Sequence, residues 1–410
     1  MSTIFLSLYS HVIHNALFPL NFPRFSSIYP TFSHPPTLKT CLRHLNSQSL
    51  LEMRAADFDF EVPPELVAQH PPAQRGTSRL LVLHRESGQL EHRSFRDLVE
   101  YFRPGDVLVL NDSKVIPARL RGVNARTGGR FELLLMEEMG RNDWWVMVKP
   151  GKRAQEGTVI ELVNRDGVGT GIEALVVGKN AEGHRRVNFK GTPDISEVTG
   201  ELGEVPLPPY IRREGTSSFE EDVERYQTVF AAPPGSVAAP TAGLHFTREI
   251  LQRIEAMGVA VRYLTLHVGV GTFAPVKSED LAQHTMHEER FELSAGTAES
   301  INQAKAKGGR VIAVGTTTMR VLESVAAGTV GILKETRGRT RIFIHPPFTF
   351  RIVDGLLTNF HLPRSTLLML VSAFASPGRL EGREKIFAAY AEAVRERYRF
   401  YSYGDAMFLA

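Results

Sequence analysis

A single cysteine, Cys41, stands among the 410 residues. No intrachain disulfide framework, iron–sulfur cluster or multi-cysteine metal site can form, and a reducing compartment is expected. Long hydrophobic runs are missing too. The nearest approach, Leu367 to Ala375, is about half of the ~18 residues that a membrane-spanning helix needs, so it reads as a buried strand or helix and no membrane partner is expected. A charge excess of either sign is also lacking. The net charge is +3, and Arg24, Lys39 and Arg43 against Glu52 account for +2 of it. Bulk charge therefore announces no nucleic-acid partner, and any such reading must rest on local clusters. What the chain does have, 42% hydrophobic residues, suffices for a large core and more than one domain.

Residues 1–52 are rich in Ser, Phe, Pro and His, poor in charge, and sustain no helical or strand period. A disordered extension is expected there. Two readings compete, a targeting peptide or a start codon set too far upstream; scarce basic residues and an ordinary domain start at Met53 favour the second. From Asp106 the run DVLVLNDS suits a buried strand that ends in a turn. Between about Lys114 and Glu201, short strand-like segments (FELLLM, WWVMV, TVIELV, IEALVVG, RRVNF) alternate with TGG, PGK, RDG and AEG turns, with no helical stretch between them. This predicts a small inserted β-barrel or sandwich over 115–201. The flanking parts, 53–114 and 202–410, form one α/β domain with a mixed sheet. Thr247 caps a helix with Ile250, Leu251, Ile254 and Met257 on one face, which Gly258 stops; VAVRYLTLHV follows as a strand. A helix over Ala298 to Lys307, the strand RVIAVG and the helix TTTMRVLESVAAG repeat the unit. Ile386, Tyr390, Val394 and Tyr398 fall four apart, as on an amphipathic helix.

Histidine is suited to proton transfer near neutral pH, and His245, His267, His284, His287 and His361 sit beside glycine or proline at strand or loop ends. Taken singly, each is more often a hydrogen-bonded structural residue. HTMHEE resembles a short metal-ligand cluster, but it is not HExxH and no cysteine assists, so no metal is expected. Glu288 and Glu289, on a helix start or loop, are either bases or a solvated pair. VIAVGTTTMR puts a glycine and three threonines between a buried strand and a helix, where free N–H groups welcome a carboxylate or phosphate. Arg320 adds a bidentate carboxylate contact or lies on the surface. Basic clusters at Arg119, Arg121, Arg126 and Arg130, at Lys149, Lys152 and Arg153, at Arg185 and Arg186, and at Arg337, Arg339 and Arg341 are solvated faces or contacts to an RNA backbone.

The blocks VLNDSKVIPARL (109–120), VPLPPYIRR (205–213), YQTVFA (226–231), GSVAAPTAGLHFT (235–247), LTLHVGVGTFAPV (264–276), VGTTTMRVLES (314–324), LLTNFHLPRSTLLMLVSAFA (356–375) and YSYGDAMFL (401–409) together resemble one family. It is the S-adenosylmethionine:tRNA ribosyltransferase-isomerases of queuosine biosynthesis. The resemblance runs from Met53 to the C-terminus and leaves residues 1–52 without a counterpart. It implies a cytoplasmic enzyme with an α/β domain and an inserted β-barrel. S-adenosylmethionine is then the co-substrate, no metal is needed, and the acceptor is tRNA carrying 7-aminomethyl-7-deazaguanine at the wobble position. The products are epoxyqueuosine-tRNA, adenine and methionine, and the working unit is a monomer. Such a reaction takes a proton from the ribose carbon next to the sulfonium and helps adenine leave. His245 and His267 are then expected in proton transfer, with Asp112, Glu289 and His361 as orienting or alternative groups. Thr316, Thr317 and Arg320 would hold the methionyl carboxylate, while Tyr210, Phe246 and Phe273 either stack on a base or belong to the core. Competing readings are a methyltransferase with the same donor, which calls for a glycine-rich loop not found here, and a non-catalytic RNA-binding protein.

Overall fold

A computed structural model describes residues 53–213, 219–269, 271, 276, 278–329 and 331–410. The expected disordered extension lies outside them. The chain opens with β1 (Arg79–Leu83), β2 (Leu90–Ser94), β3 (Val107–Asn111) and the short β4 (Lys114–Val115). Six strands follow: β5 (Arg119–Asn124), β6 (Arg130–Gly140), β7 (Asp143–Lys149), β8 (Val159–Val163), β9 (Gly169–Lys179) and β10 (Arg185–Lys190). Next come helices α1 (Ile195–Leu202) and α2 (Phe219–Arg225), β11 (Pro234–Ser236), α3 (Arg248–Ala256), β12 (Ala260–Leu266) and β13 (Glu289–Leu293). The last part holds α4 (Ala295–Ala306), β14 (Val311–Val314), α5 (Thr316–Ala327), β15 (Thr336–Thr340), β16 (Gly355–Asn359), α6 (Thr366–Ala375), α7 (Gly382–Arg395) and β17 (Ala406–Leu409).

Nine strands form one mixed sheet in the order β15-β13-β12-β3-β14-β16-β17-β1-β2. Central β3 runs parallel to both β12 and β14. Its five residues are all buried, as an apolar run flanked by turn residues should be. Alternation sorts the sheet's side chains onto two faces. Val107, Val109, Ala313 and Leu356 pack under α4 to α7, whereas Leu108, Leu110, Ile312 and Leu357 pack under α3 with Phe95 and Leu98. The other six strands close a barrel, β10-β7-β6-β5-β8-β9, filled by Phe131, Leu133, Leu135, Val146, Val148 and Ile160. The chain leaves for the barrel through β4 and returns through β11, and these two strands pair in parallel. A mixed-sheet α/β architecture with a small barrel is thus what the sequence led one to expect.

Three local readings need correction. The barrel region does contain a helix: in α1, Ile195, Val198 and Leu202 recur at helical spacing against the barrel core, and Asp194 caps its start by accepting from Ser196 N–H. Glu289 is the first residue of a strand, β13, not of a helix or loop, and is buried. Tyr398 lies beyond α7, which ends at Arg395, and is fully buried; Arg397, at φ 56°, turns the chain between them. Leu367 to Ala375 resolves as helix α6, with all ten of its residues buried, capped by Ser365 Oγ accepting from Leu368 N–H. No helix among the described residues is long and apolar enough to cross a membrane.

Candidate active site

The C-terminal ends of β3, β12 and β14 meet where the barrel's neck joins the sheet. Asn111, the last residue of β3, knits them together. Its amide donates to the Leu266 carbonyl at 3.0 Å and to Thr317 Oγ1 at 3.3 Å, while its oxygen accepts from Ser113 and Leu266 N–H. Ser113 then leads into β4, and Ser236 ends β11. The Ser113 and Ser236 hydroxyls lie 2.6 Å apart, and Ser113 Oγ is 2.9 Å from His267 Nδ1. Ser236 Oγ also accepts from Val268 N–H at 2.9 Å. One proton arrangement satisfies every group: Ser236 donates to Ser113, Ser113 donates to Nδ1, and the histidine's proton resides on Nε2. Burial first, and the nearby Arg290 charge second, lower His267 to about 4, so the ring is neutral at physiological pH. Gly235 must be glycine here: at φ 146°, a Cβ would lie 2.7 Å from His267 Nδ1.

His267 lines a cleft of about 830 Å³ between barrel and sheet edge. Trp144, Trp145 and His184 line it from the barrel; Glu289, Arg290 and Arg339 line it from the sheet. Arg339 spans the gap, pairing with Glu137 of β6 at 2.6 Å and with Glu288, and it holds the Glu137 carboxyl below the usual range. Behind the cleft, Arg320 of α5 donates through Nη1 to Glu289, whose other oxygen accepts from Gly269 N–H at 3.1 Å. Both side chains of this pair are almost wholly buried. Arg320 Nε and Nη2 are buried with no partner. Those two nitrogens form the edge that grips a carboxylate in bidentate fashion.

A second, smaller pocket adjoins, lined among others by Thr316, Thr317, Thr358, His361, Tyr210 and Ser402. The first turn of α5 opens here, because Gly315 at φ 86° turns the chain from β14 into the helix. His361 shares a hydrogen bond with Thr358 Oγ1 at 2.7 Å, and burial lowers it to about 3. The Tyr210 hydroxyl meets Ser402 Oγ at 2.6 Å while its ring packs 4.8 Å from Tyr401, and burial pushes its pKa up.

The sequence-derived residues therefore do not all converge. His245 lines a separate crevice with Arg75, Arg225 and Tyr403. Asn359 donates to its Nε2 at 3.2 Å, so Nδ1 carries the proton and donates to Ser78 Oγ at 2.8 Å. Burial first, then the Arg399 and Arg75 charges, lower His245 to about 3. Both its nitrogens are engaged, and it touches the small pocket only through Asn359. Asp112 accepts from Thr265 Oγ1 at 2.7 Å, burial raises its carboxyl, and it lines neither cleft nor pocket. Phe246 is a core residue, fully buried edge-on to Phe95 at 5.1 Å: it ends the short 3₁₀ helix Thr241–His245 and packs with Ile250 and Leu251 under the sheet. Phe273 lies outside the described residues. Among the described residues no group of three or more His, Cys, Asp or Glu is placed to hold a metal ion. Ser113, Ser236, Asn111 and Asn359 were missed as functional candidates, although the first three stand inside the motif blocks NDS and GSV. The only two tryptophans of the chain, adjacent in DWWVMV, were the available signal for the cleft.

Most of the clustered arginines are answered by protein groups. Arg121 pairs with Glu204, Arg186 with Asp143, Arg337 with Glu292 and Arg341 with Glu288. Arg185, taken above as part of an exposed cluster, is buried and donates to the carbonyls of Ala154 and Gly151 at 2.5 and 2.6 Å.

A family model described as "Queuosine biosynthesis protein" matches residues 55–409. An S-adenosylmethionine:tRNA ribosyltransferase-isomerase of Desulforamulus reducens is 49% identical over 358 residues, covering 87% of this chain and 100% of that protein. Its counterpart from Natranaerobius thermophilus is likewise 49% identical over 358 residues, with 87% and 99% covered. A crystal structure of the Thermotoga maritima S-adenosylmethionine tRNA ribosyltransferase shares 37% identity and covers 86% of this chain and 100% of that one, with a TM-score of 0.48. With a match across nearly everything after Met53, the chain belongs to the queuosine biosynthesis protein family.

Proposed function

We propose that this enzyme transfers the ribosyl part of S-adenosylmethionine, with isomerisation, onto 7-aminomethyl-7-deazaguanine in tRNA, giving epoxyqueuosine-tRNA, adenine and methionine. The carrying observation is the 49% identity over the whole length of a relative bearing that name. The cleft at the barrel's neck supports this reading as the place of the reaction. In this reading 53–114 and 202–410 are the catalytic domain and 115–201 the inserted barrel. The acceptor tRNA carries the deazaguanine at its wobble position, S-adenosylmethionine is the co-substrate with no metal, and the enzyme works as a cytoplasmic monomer.

Neutral His267 offers a proton on Nε2 to the cleft, which suits a donor to the departing adenine. Because that nitrogen is a donor, the base role goes to Glu289, a carboxylate of the cleft lining that Gly269 N–H and Arg320 hold in place; it takes the proton from the ribose carbon beside the positive sulfur. The first turn of α5 at Thr316 and Thr317 suits the methionyl carboxylate, backed by the unpartnered, buried Nε/Nη2 edge of Arg320, which itself lines neither cleft nor pocket. His245 orients Asn359, His361 orients Thr358, and Asp112 steadies β12 through Thr265; these three act by position. Tyr210 lines the small pocket, where its ring closes one wall.

Incubation with S-adenosylmethionine and deazaguanine-containing tRNA, followed by nucleoside mass analysis, tests this. Free adenine together with an epoxyqueuosine nucleoside is expected. S-adenosylhomocysteine in place of adenine would mean a methyltransferase.

A further inference from the structure

Once the carboxylate-paired arginines are set aside, four of the barrel's remaining cations gather in one place. Arg126, Arg130, Lys152 and Arg153 are exposed and line a groove of about 1030 Å³. Among the described residues none of the four is in an ion pair, unlike Arg119, Arg121 and Arg186 on neighbouring strands. Glu156 and Glu173 also face the groove, so four cations stand against two carboxylates. Its rim is stiff. Asn124 Oδ1 accepts from both Arg126 and Thr127 N–H at 2.9 Å, which fixes the turn that carries Arg126.

The groove and the cleft lie toward opposite ends of one strand. Arg130 opens β6, whereas Glu137 and Glu138, near its other end, line the cleft. At roughly 3.3 Å per residue, the two are about 25 Å apart along the barrel. A small anionic substrate held in the cleft cannot reach that far, but a folded polyanion can. Positive charge without exposed aromatic platforms suits phosphates rather than unstacked bases, so contacts here would position and not specify.

We propose that this groove is a docking surface for the phosphate backbone of the tRNA whose base is modified in the cleft. The inference rests on the function proposed above, and the test separates the two. Binding of unmodified tRNA transcript to the full chain is measured without S-adenosylmethionine, by fluorescence anisotropy across a salt series. The variant Arg126→Ala/Lys152→Ala/Arg153→Ala is expected to bind at least ~10-fold more weakly at low salt, and to flatten the slope of log affinity against log salt by about 2. Arg126→Lys/Arg153→Lys, which keeps the charge, should retain both affinity and slope. Arg121→Ala, whose charge Glu204 already answers, should leave the slope unchanged. Equal affinity and slope in the triple variant and the unaltered chain would overturn the docking surface, as would a loss that the lysine variant shares. A normal tRNA salt slope with no adenine released on adding S-adenosylmethionine would sink the activity and leave the surface standing.

Discussion

At the scale of single residues, the buried histidines make a prediction about pH. His245 and His361 are both lowered by burial to about 3, against 6.5 for the free side chain. A histidine depressed in the folded state stays neutral there while the unfolded chain takes up its proton. The stability it contributes is therefore fully present above about pH 6.5 and is lost as pH falls toward 3. Two such groups give a slope of at most about 2.7 kcal/mol per pH unit. Urea unfolding between pH 6.5 and 5 should show stability falling with acid, and His245→Gln/His361→Gln should flatten that dependence; an unchanged slope would mean that these histidines titrate alike in both states. Arg320 permits a second test. Arg320→Ala strands the Glu289 charge and should cost about 3–5 kcal/mol of stability. Arg320→Lys keeps the pair but loses the fork, so the KM for S-adenosylmethionine should rise at least ~10-fold with a smaller stability loss; an unaltered KM would remove Arg320 from substrate binding. His267, Thr316 and Thr317 stand out as candidates in the sequence because strand ends and helix starts are local features. The partners that define His267 were not, since Ser113 and Ser236 stand 123 residues apart in the chain and meet only in the fold.

At the scale of elements, the proposed chemistry centres on the neck formed by β4 and β11. It is where the barrel's two connections pair, and Gly235 lies within it against the His267 ring. Gly235→Ala must displace that ring, so adenine release should fall by about 10²-fold, the cost typical of a reacting group moved by 1 Å. Activity assays beside a thermal melt check this, and full activity would show that the ring's placement is not needed. Helix α1 shows why one element was overlooked. Its apolar residues have helical spacing, but eight residues among many short strands were absorbed into the strand texture. Glu289 was misplaced for a related reason: ERFEL is a short strand rich in charge, and its place beside β12 and β15 is decided by pairing rather than by composition.

At the scale of the whole molecule, alternating apolar strands and capped helices made the α/β sheet and the barrel readable. Strand order, barrel closure and the cleft depend on pairings across the chain, which periodicity does not encode. The only two tryptophans, Trp145 and the barrel-core Trp144, both border the cleft that His267 and Glu289 line. Saturating S-adenosylmethionine or tRNA should therefore shift intrinsic tryptophan emission, and emission blind to both would place binding elsewhere. Ribosyl transfer itself is tested most directly by the fate of two labels in S-adenosylmethionine, one in the ribose and one in the methyl group, after reaction with deazaguanine-containing tRNA. Ribose label entering tRNA with one adenine released per label, and methyl label leaving as methionine, is the expected result. Methyl label in the tRNA, with the ribose label recovered in S-adenosylhomocysteine, would contradict it.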